Sequence, residues 1–465
     1  MSRRSTLALA LAAACAATAC SSLAPGGGAV PEARPDVPPT WDAAATTGAD
    51  AELPDWRGFL ADPRLVQLVE RALARNRDLR SAVLQVERAR ALHAIQGAAR
   101  VPSVGAAAQV ARSGGDDRAT SGSYGVSVGV TDYELDLWGR VRQLDEAALQ
   151  RLFAQQQARA TVQISLVAEV ANAWLALAAD QRLLQLARAT QANRLEQLQL
   201  AVRRHELGAI SALELVQTEA AVETARADVA RFEGQVAADR HALALLVGTP
   251  VEAALQPDGW DAPVSTWAGP PAGLPSSLLL RRPDVRRAEH QLQAAQADIG
   301  AARAAFFPTL RLTGSAGTAS TELSGLFSRG SFVWSVLPQL SVPIFTGGRL
   351  DAQLAVAQVD RDLALAQYER AIQSGFREVA DALVRRETLA GQRAAQQALL
   401  QAATRAERLA RARHDAGRDS YLVLLDAQRT RVAAEQSLVA TELAEQANRV
   451  ALYRALGGGW QDGTP

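Results

Sequence analysis

Apolar residues recur at helical spacing through two long proline-free stretches, Arg140 to Leu207 and Arg349 to Ala416, with Arg, Asp, Glu and Gln interspersed throughout. In "LDAQLAVAQVDRDLALAQYERAI", which begins at Leu350, the apolar positions fall on one side of a helix and the polar positions between them. Each stretch would extend on the order of 100 Å as a single helix, roughly three times a bilayer core. Their recurrent charges make neither apolar enough to span a membrane, so helices packed side by side are expected. Shorter helices are expected before them, at about Asp62 to Ala99 and Ser277 to Ala305. Returning helices are expected after them, at about Ser211 to Val247 and Ser420 to Leu456.

Between each preceding helix and its long helix the period changes to two. Tyr124, Val126, Val128 and Val130 alternate with Gly125, Ser127, Gly129 and Thr131, the pattern of a strand with one greasy face and one small or polar face. "SVGAAAQVA" supplies its partner, before the turn-rich "SGGDDRATSG". Leu310 and Leu312 alternate with Arg311 and Thr313, and a fourth strand runs from Phe332 to Val342, where Pro338 suggests a bulge or a strand end. Strands of about 9 to 11 residues with this alternation match a transmembrane β-barrel; a solvent-facing sheet is the alternative. Four strands cannot close, so an open channel needs at least three chains contributing four each. Tyr124 and Trp334 suit the membrane interface.

The chain is internally duplicated. "RHELGAISALELVQ" from Arg204 and "RHDAGRDSYLVLLD" from Arg413 stand 209 residues apart, and the same offset pairs Gly139 with Gly348, Leu243 with Leu452 and Gly248 with Gly457. Upstream the offset is 206, with Asp78 matching Asp284 and Pro102 matching Pro308. In each motif a glycine, Gly208 or Gly417, suits the left-handed end of one helix and a serine, Ser211 or Ser420, the cap of the next. Glu214 completes a capping box in the first copy only. The motif is therefore a helix hairpin. The expected divisions are a signal peptide over 1–19, a tether over 20–55, a first repeat over 56–250, a linker over 251–273 and a second repeat over 274–465.

Composition narrows the function classes. With 49 basic and 49 acidic residues, every basic one an arginine, there is no net field to attract nucleic acid. The only cysteines, Cys15 and Cys20, fall in a start that carries Arg3 and Arg4, an apolar run and small residues before each cysteine, which is a secretory signal. A bacterial lipoprotein signal is similar, and Cys20 is the preferred lipidation site, with Cys15 its competitor. Gly26 to Pro39 is an extended tether. No catalytic constellation, metal site or cofactor loop emerges: the five histidines are dispersed, and His205 and His414 beside the turns suit helix-end cations.

"LPSSLLLRRPDVRRAEHQLQAAQADIGAARAAFFPTL", "PIFTGGR", "YLVLLDAQR" and "YRALGGGW", in this order, resemble the signature segments of the TolC-type outer-membrane efflux proteins, in their lipoprotein, NodT-like branch serving RND-type efflux systems. The resemblance runs from about Trp56 to Trp460. It implies a mixed, mainly α fold: a long α-helical coiled-coil barrel plus four transmembrane β-barrel strands per chain, internally duplicated and trimeric. It also implies a lipid-anchored exit duct in the outer membrane, extending into the periplasm and working with a periplasmic adaptor and an inner-membrane pump, for drugs, metals or other small molecules. The exit duct of a type I protein secretion system is the alternative. Leu422 and Asp426 match the constricting leucine and aspartate of the family's closed tip, and their i, i+4 spacing puts both on one helix face. The other use of Asp426 is an ion pair on its own helix. Gly208, Ser211, Gly417 and Ser420 mark the hairpins expected to meet the adaptor. The first copy has Gln217 where the second has Asp426.

Overall fold

The computed structural model describes residues 37–38, 41, 53–116, 118–257, 259, 263–267, 269 and 276–459. Cys20, the signal peptide and most of the tether lie outside the described residues. The chain divides into two compact units, each drawing on both sequence repeats: 84–157 with 284–371, and 36–83 with 158–283 and 372–465.

The first unit holds an antiparallel sheet in the order β1 (Val104–Gly115), β2 (Arg118–Leu135), β3 (Thr309–Ser320) and β4 (Phe332–Ser341). The hairpin of one repeat joins the hairpin of the other through the β2–β3 ladder. Paired residues share a face, so the register sorts the side chains into rows. Ala108, Val126, Thr318 and Phe332 form one row, Ala106, Val128, Ala316 and Trp334 the next, and Val104, Val130, Gly314 and Val336 a third. On the opposite face lie Ala107, Ser127, Gly317 and Val333, then Gly105, Gly129, Ser315 and Ser335, with a 2.9 Å hydrogen bond between the Ser315 and Ser335 hydroxyls. A Cβ at Gly129 would collide with the Gly314 carbonyl, and one at Gly317 with that of Val126. Adjacent strands thus close together on the small-residue face, and glycine is required where they do.

Two expectations for the strands change. The segment 113–122 is mostly strand rather than a long turn, with its two serines, Ser113 and Ser121, paired across the ladder. Pro338 causes neither bulge nor end; it pairs with Leu312 inside β4, an edge strand of this sheet, where an absent N–H can face outward. Register shifts lie instead between Ser113 and Gly115 and between Val130 and Tyr133; at the second, Asp132 takes a left-handed φ of 56° and its carboxylate receives Arg311 at 2.6 Å. Trp334 shares the row of Val128, whereas Tyr124 lies two rows away toward one end of the sheet.

In the second unit α1 (Trp56–Phe59) and α2 (Pro63–Arg75) lead into the helix α3 (Arg77–Ala98). The single helix expected from Asp62 is broken at Asn76, whose ψ of 136° is extended. The Asn76 side chain accepts from the backbone of Asp78 at 2.8 Å and Leu79 at 2.9 Å, capping the new helix. Leu65, Leu68, Val69 and Ala72 of α2 form one fully buried face. They join a core with Leu166, Val170, Trp174 and Leu177 of α4 (Arg140–Glu206) and Leu243 and Val247 of α5 (Ala212–Val247). Each such large side chain contributes roughly 1.5–3 kcal/mol.

The long helix α4 contains a stretch that is, by length and composition, apolar enough to cross a membrane, contrary to expectation. Its apolarity has another destination: more than half of that stretch is buried within the protein. The second long helix, α7 (Arg349–Asp415), matches α4 at 67 residues, and α8 (Tyr421–Ala455) returns from it. The segment expected as one helix from Ser277 is a 3-10 turn over Ser276–Arg281 followed by α6 (Pro283–Ala304), with proline at the first helical position.

The two breaks, at Asn76 and Arg282, are equivalent in the duplication. Asn76 Nδ2 donates to the Leu246 carbonyl at 3.0 Å, and Arg282 donates to the Ala455 carbonyl at 2.6 Å. Leu246 and Ala455 are 209 residues apart, and Asn76 and Arg282 206. Each repeat therefore ties the end of its returning helix to the break before its own longer helix. One uses an amide and the other a guanidinium that Glu378 also holds at 2.9 Å.

Candidate functional site: the paired hairpin turns

Both hairpin turns lie in the second unit and share one construction. Gly208 N–H donates to His205 O at 2.8 Å and Ala209 N–H to Arg204 O at 2.7 Å. Gly417 N–H donates to His414 O at 2.8 Å and Arg418 N–H to Arg413 O at 2.9 Å. This is the Schellman closure, and it places each glycine at positive φ, 73° and 69°. His205 and His414 do more than place a cation at a helix end: each Nδ1 donates across the turn, to Ile210 O at 3.3 Å and Asp419 O at 3.2 Å.

The two turns differ in how the next helix starts. The Ser211 hydroxyl accepts from Glu214 N–H at 3.2 Å, as a cap should. Ser420 takes the cap conformation, but its hydroxyl makes no cap bond. The second turn is held instead by Arg413, which grips the Asp419 carboxylate at 2.6 and 2.8 Å and keeps it below the usual carboxylate range. The equivalent pair in the first turn is Arg204 and Ile210, so that grip has no counterpart there.

Leu422 and Asp426 stand one turn apart on α8, and both are exposed, Leu422 at 55%. The neighbouring Tyr421, Leu424 and Leu425 are buried against Ala221 and Ala410 and hold that face of α8 inward. No arginine among the described residues pairs with Asp426, so the exposed ion pair on its own helix does not form. In the first copy Leu213 is likewise exposed, at 68%.

Sequence reasoning missed the buried polar contact that joins the hairpins. Arg194 of α4, only 6% exposed, donates to Gln428 of α8 and at 3.2 Å to Gln197, while the Tyr421 hydroxyl reaches Gln197 at 3.5 Å. Burial pulls the Arg194 guanidinium down from its ordinary range. Nothing in the surrounding sequence distinguishes this arginine from its many solvated neighbours. Beside this contact, Gln197, Arg203, Glu214, His414 and Tyr421 help line a cavity of about 410 Å³ between the two hairpins.

Comparison with known proteins gives this architecture its setting. The family model described as outer membrane efflux protein matches residues 68–249 and 274–458. The toluene efflux pump outer membrane protein TtgF of Pseudomonas putida is 44% identical over 89% of this chain and 87% of its own length. OprJ, an outer membrane protein of Pseudomonas aeruginosa, is 43% identical over 92% of each chain. Among solved structures, the open-state MtrE outer membrane channel of Neisseria gonorrhoeae superposes with a TM-score of 0.81 at 38% identity, covering 92% of this chain and 98% of MtrE. With both repeats matched and the likeness extending over nearly the full length of proteins so described, this chain belongs to the outer membrane efflux protein family.

Proposed function

We propose that three copies of this chain form the exit duct of a tripartite efflux system, with the β1–β4 sheets completing a twelve-stranded barrel and the hairpins forming its periplasmic tip. The observation that carries this reading is the sheet: its register gives it an apolar face and a small-residue face, and it leaves β1 and β4 with free edges. In a membrane those edges must be paired. A copy's β4 beside the next copy's β1 satisfies both.

At the tip, the two hairpins of each chain offer a periplasmic adaptor six similar sites per trimer, with Gly208, Ser211, Gly417 and Ser420 shaping them. Leu422 narrows the closed tip by size and Asp426 selects by charge. Three carboxylates meeting on the axis repel one another and attract a cation. The lipid on Cys20 anchors the mature chain. Small organic compounds, as in the toluene pump for which TtgF is named, are the proposed cargo, with the choice among them left to the inner-membrane pump and adaptor.

Planar-bilayer recordings test the gate. Asp426→Ala should reduce cation preference and cation block, Leu422→Ala should widen the closed aperture, and the double variant should conduct most. Gln217→Ala is the control from the other repeat. Unchanged selectivity in Asp426→Ala together with altered selectivity in Gln217→Ala would move the constriction to the first hairpin.

A further inference from the structure

We propose that each copy joins the next through an apolar seam, α7 of one copy against α3 of its neighbour, in the register that α4 keeps with α6 inside the chain. The inference rests on the three-copy duct proposed above and names the surface that closes it. Inside the chain, the β2–β3 ladder brings the helix after β2 beside the helix before β3. Gln150 of α4 meets His290 of α6 at 2.8 Å, Phe153 packs on the same imidazole with ring centres 5.4 Å apart, and Arg151 pairs with Asp298. Near the helix end of the ladder, Trp138 stacks on Phe307 with ring centres 4.8 Å apart and donates to the Pro308 carbonyl at 2.7 Å.

Where β4 of one copy pairs with β1 of the next, the helix after β4 is α7 and the helix before β1 is α3, so the duplication supplies a template for their contact. Moving Gln150 forward by 209 residues and His290 back by 206 sets Val359 against Leu84, and Asp298 becomes Leu92. On the face of α4 that carries Gln150, the buried Ala147 and Ala154 become Val356 and Leu363, larger apolar residues that a single copy leaves 60% and 55% exposed. On α6 the buried Ala301 becomes Ile95, 70% exposed. Val359, Leu84 and Leu92 are exposed with them. Positions that are closed inside the chain are thus apolar and open on its two flanks.

The turn after β4 fits the same template. Gly347 stands at the position of Trp138 and Val101 at that of Phe307. Just before Gly347, Ile344 and Phe345 are 95% and 91% exposed, and Val101 is exposed as well. Phe345 takes the place of the tryptophan, on Val101 and Pro102 of the next copy. The exchange of polar pairs for apolar ones has a physical reason. Inside the chain the connecting backbone already holds the two helices near each other, and polar pairs fix their register. Between copies nothing is covalent, and burial of apolar surface has to drive the association.

Cysteine crosslinking of the full chain, solubilised in detergent and treated with a short bis-maleimide, tests the register. Leu84→Cys combined with Val359→Cys should give covalent species of two and three chains, and either variant alone should give none. Ile95→Cys combined with Val359→Cys should not link, because Ile95 lies roughly 16 Å from Leu84 along α3. Gln150→Cys with His290→Cys, the template pair, should link within one chain and leave the mass of the denatured protein unchanged. Should the cysteine variants not fold, exchanged charges decide: Leu84→Glu and Val359→Arg should each lower the trimer fraction, and the two together should restore it. A trimeric mass by light scattering without a link between Leu84→Cys and Val359→Cys, or with the link at Ile95→Cys instead, would overturn the seam and leave the duct standing. A wild-type mass of one chain would overturn the duct, and the seam with it.

Discussion

At Gly208 and Gly417 an added Cβ would meet nothing within 4 Å, so the penalty expected at that atom is the left-handed backbone. Gly208→Val and Gly417→Val should each cost about 1–2 kcal/mol, confined to the tip. If the tips meet the adaptor, export should fall while the amount of protein in the membrane is unchanged. Gly248 presents the opposite case: its φ is 78°, and a Cβ would sit 2.8 Å from the Arg75 carbonyl, so strain and collision combine. Urea unfolding of the three valine variants should rank Gly248→Val as the most destabilised; equal midpoints would contradict the close approach at Arg75. Asn76→Ala removes both a helix cap and the donor to Leu246 and should cost about 1–2 kcal/mol by the same measurement.

Among the elements, the sheet and the two turns make separable predictions. Val128→Arg puts a charge in the row of Ala106, Ala316 and Trp334, and near the membrane midplane should cost about 2–4 kcal/mol. Ser127→Arg, on the small-residue face, should cost much less, and equal losses of heat stability would reverse the proposed faces. The turns differ in their response to acid. Asp419 is depressed by Arg413, so its contribution is present above its ordinary pKa of 3.8 and is lost as the pH falls through the lower folded value. Amide exchange should show the second turn loosening in strong acid while the first, with Ile210 in place of Asp419, holds. The long helices and both hairpins were legible because periodicity, glycine and serine mark them over many residues. The break at Asn76 was not, because apolar spacing continues across it through Leu73 and Leu79 and its cause is a contact with Leu246, distant in sequence. Pro338 misled for a related reason: a proline disrupts a strand only when its missing donor is needed, and which strand is the edge depends on how the two repeats join. At the tips, Leu422 and Asp426 are singled out by the resemblance of "YLVLLDAQR", and their i, i+4 spacing only puts both on one face of α8. Arg194 was not legible, since only tertiary packing sets its burial apart.

For the molecule as a whole, the free edges of β1 and β4 make a single copy incomplete. Light scattering of the detergent-solubilised protein should give about three times the mass of the mature chain, and a mass of one or two chains would refute the trimer. The same edges dictate an order of events. An unpaired backbone group in hydrocarbon costs several kcal/mol, and a lone sheet entering lipid would carry a row of them along the 12 residues of β1 and another along the 10 of β4. A membrane-inserted single copy is therefore not a stopping point on the route to the channel. Copies have to find one another before or during insertion, and the rate at which channels appear should rise more steeply than in direct proportion to the amount of newly exported chain.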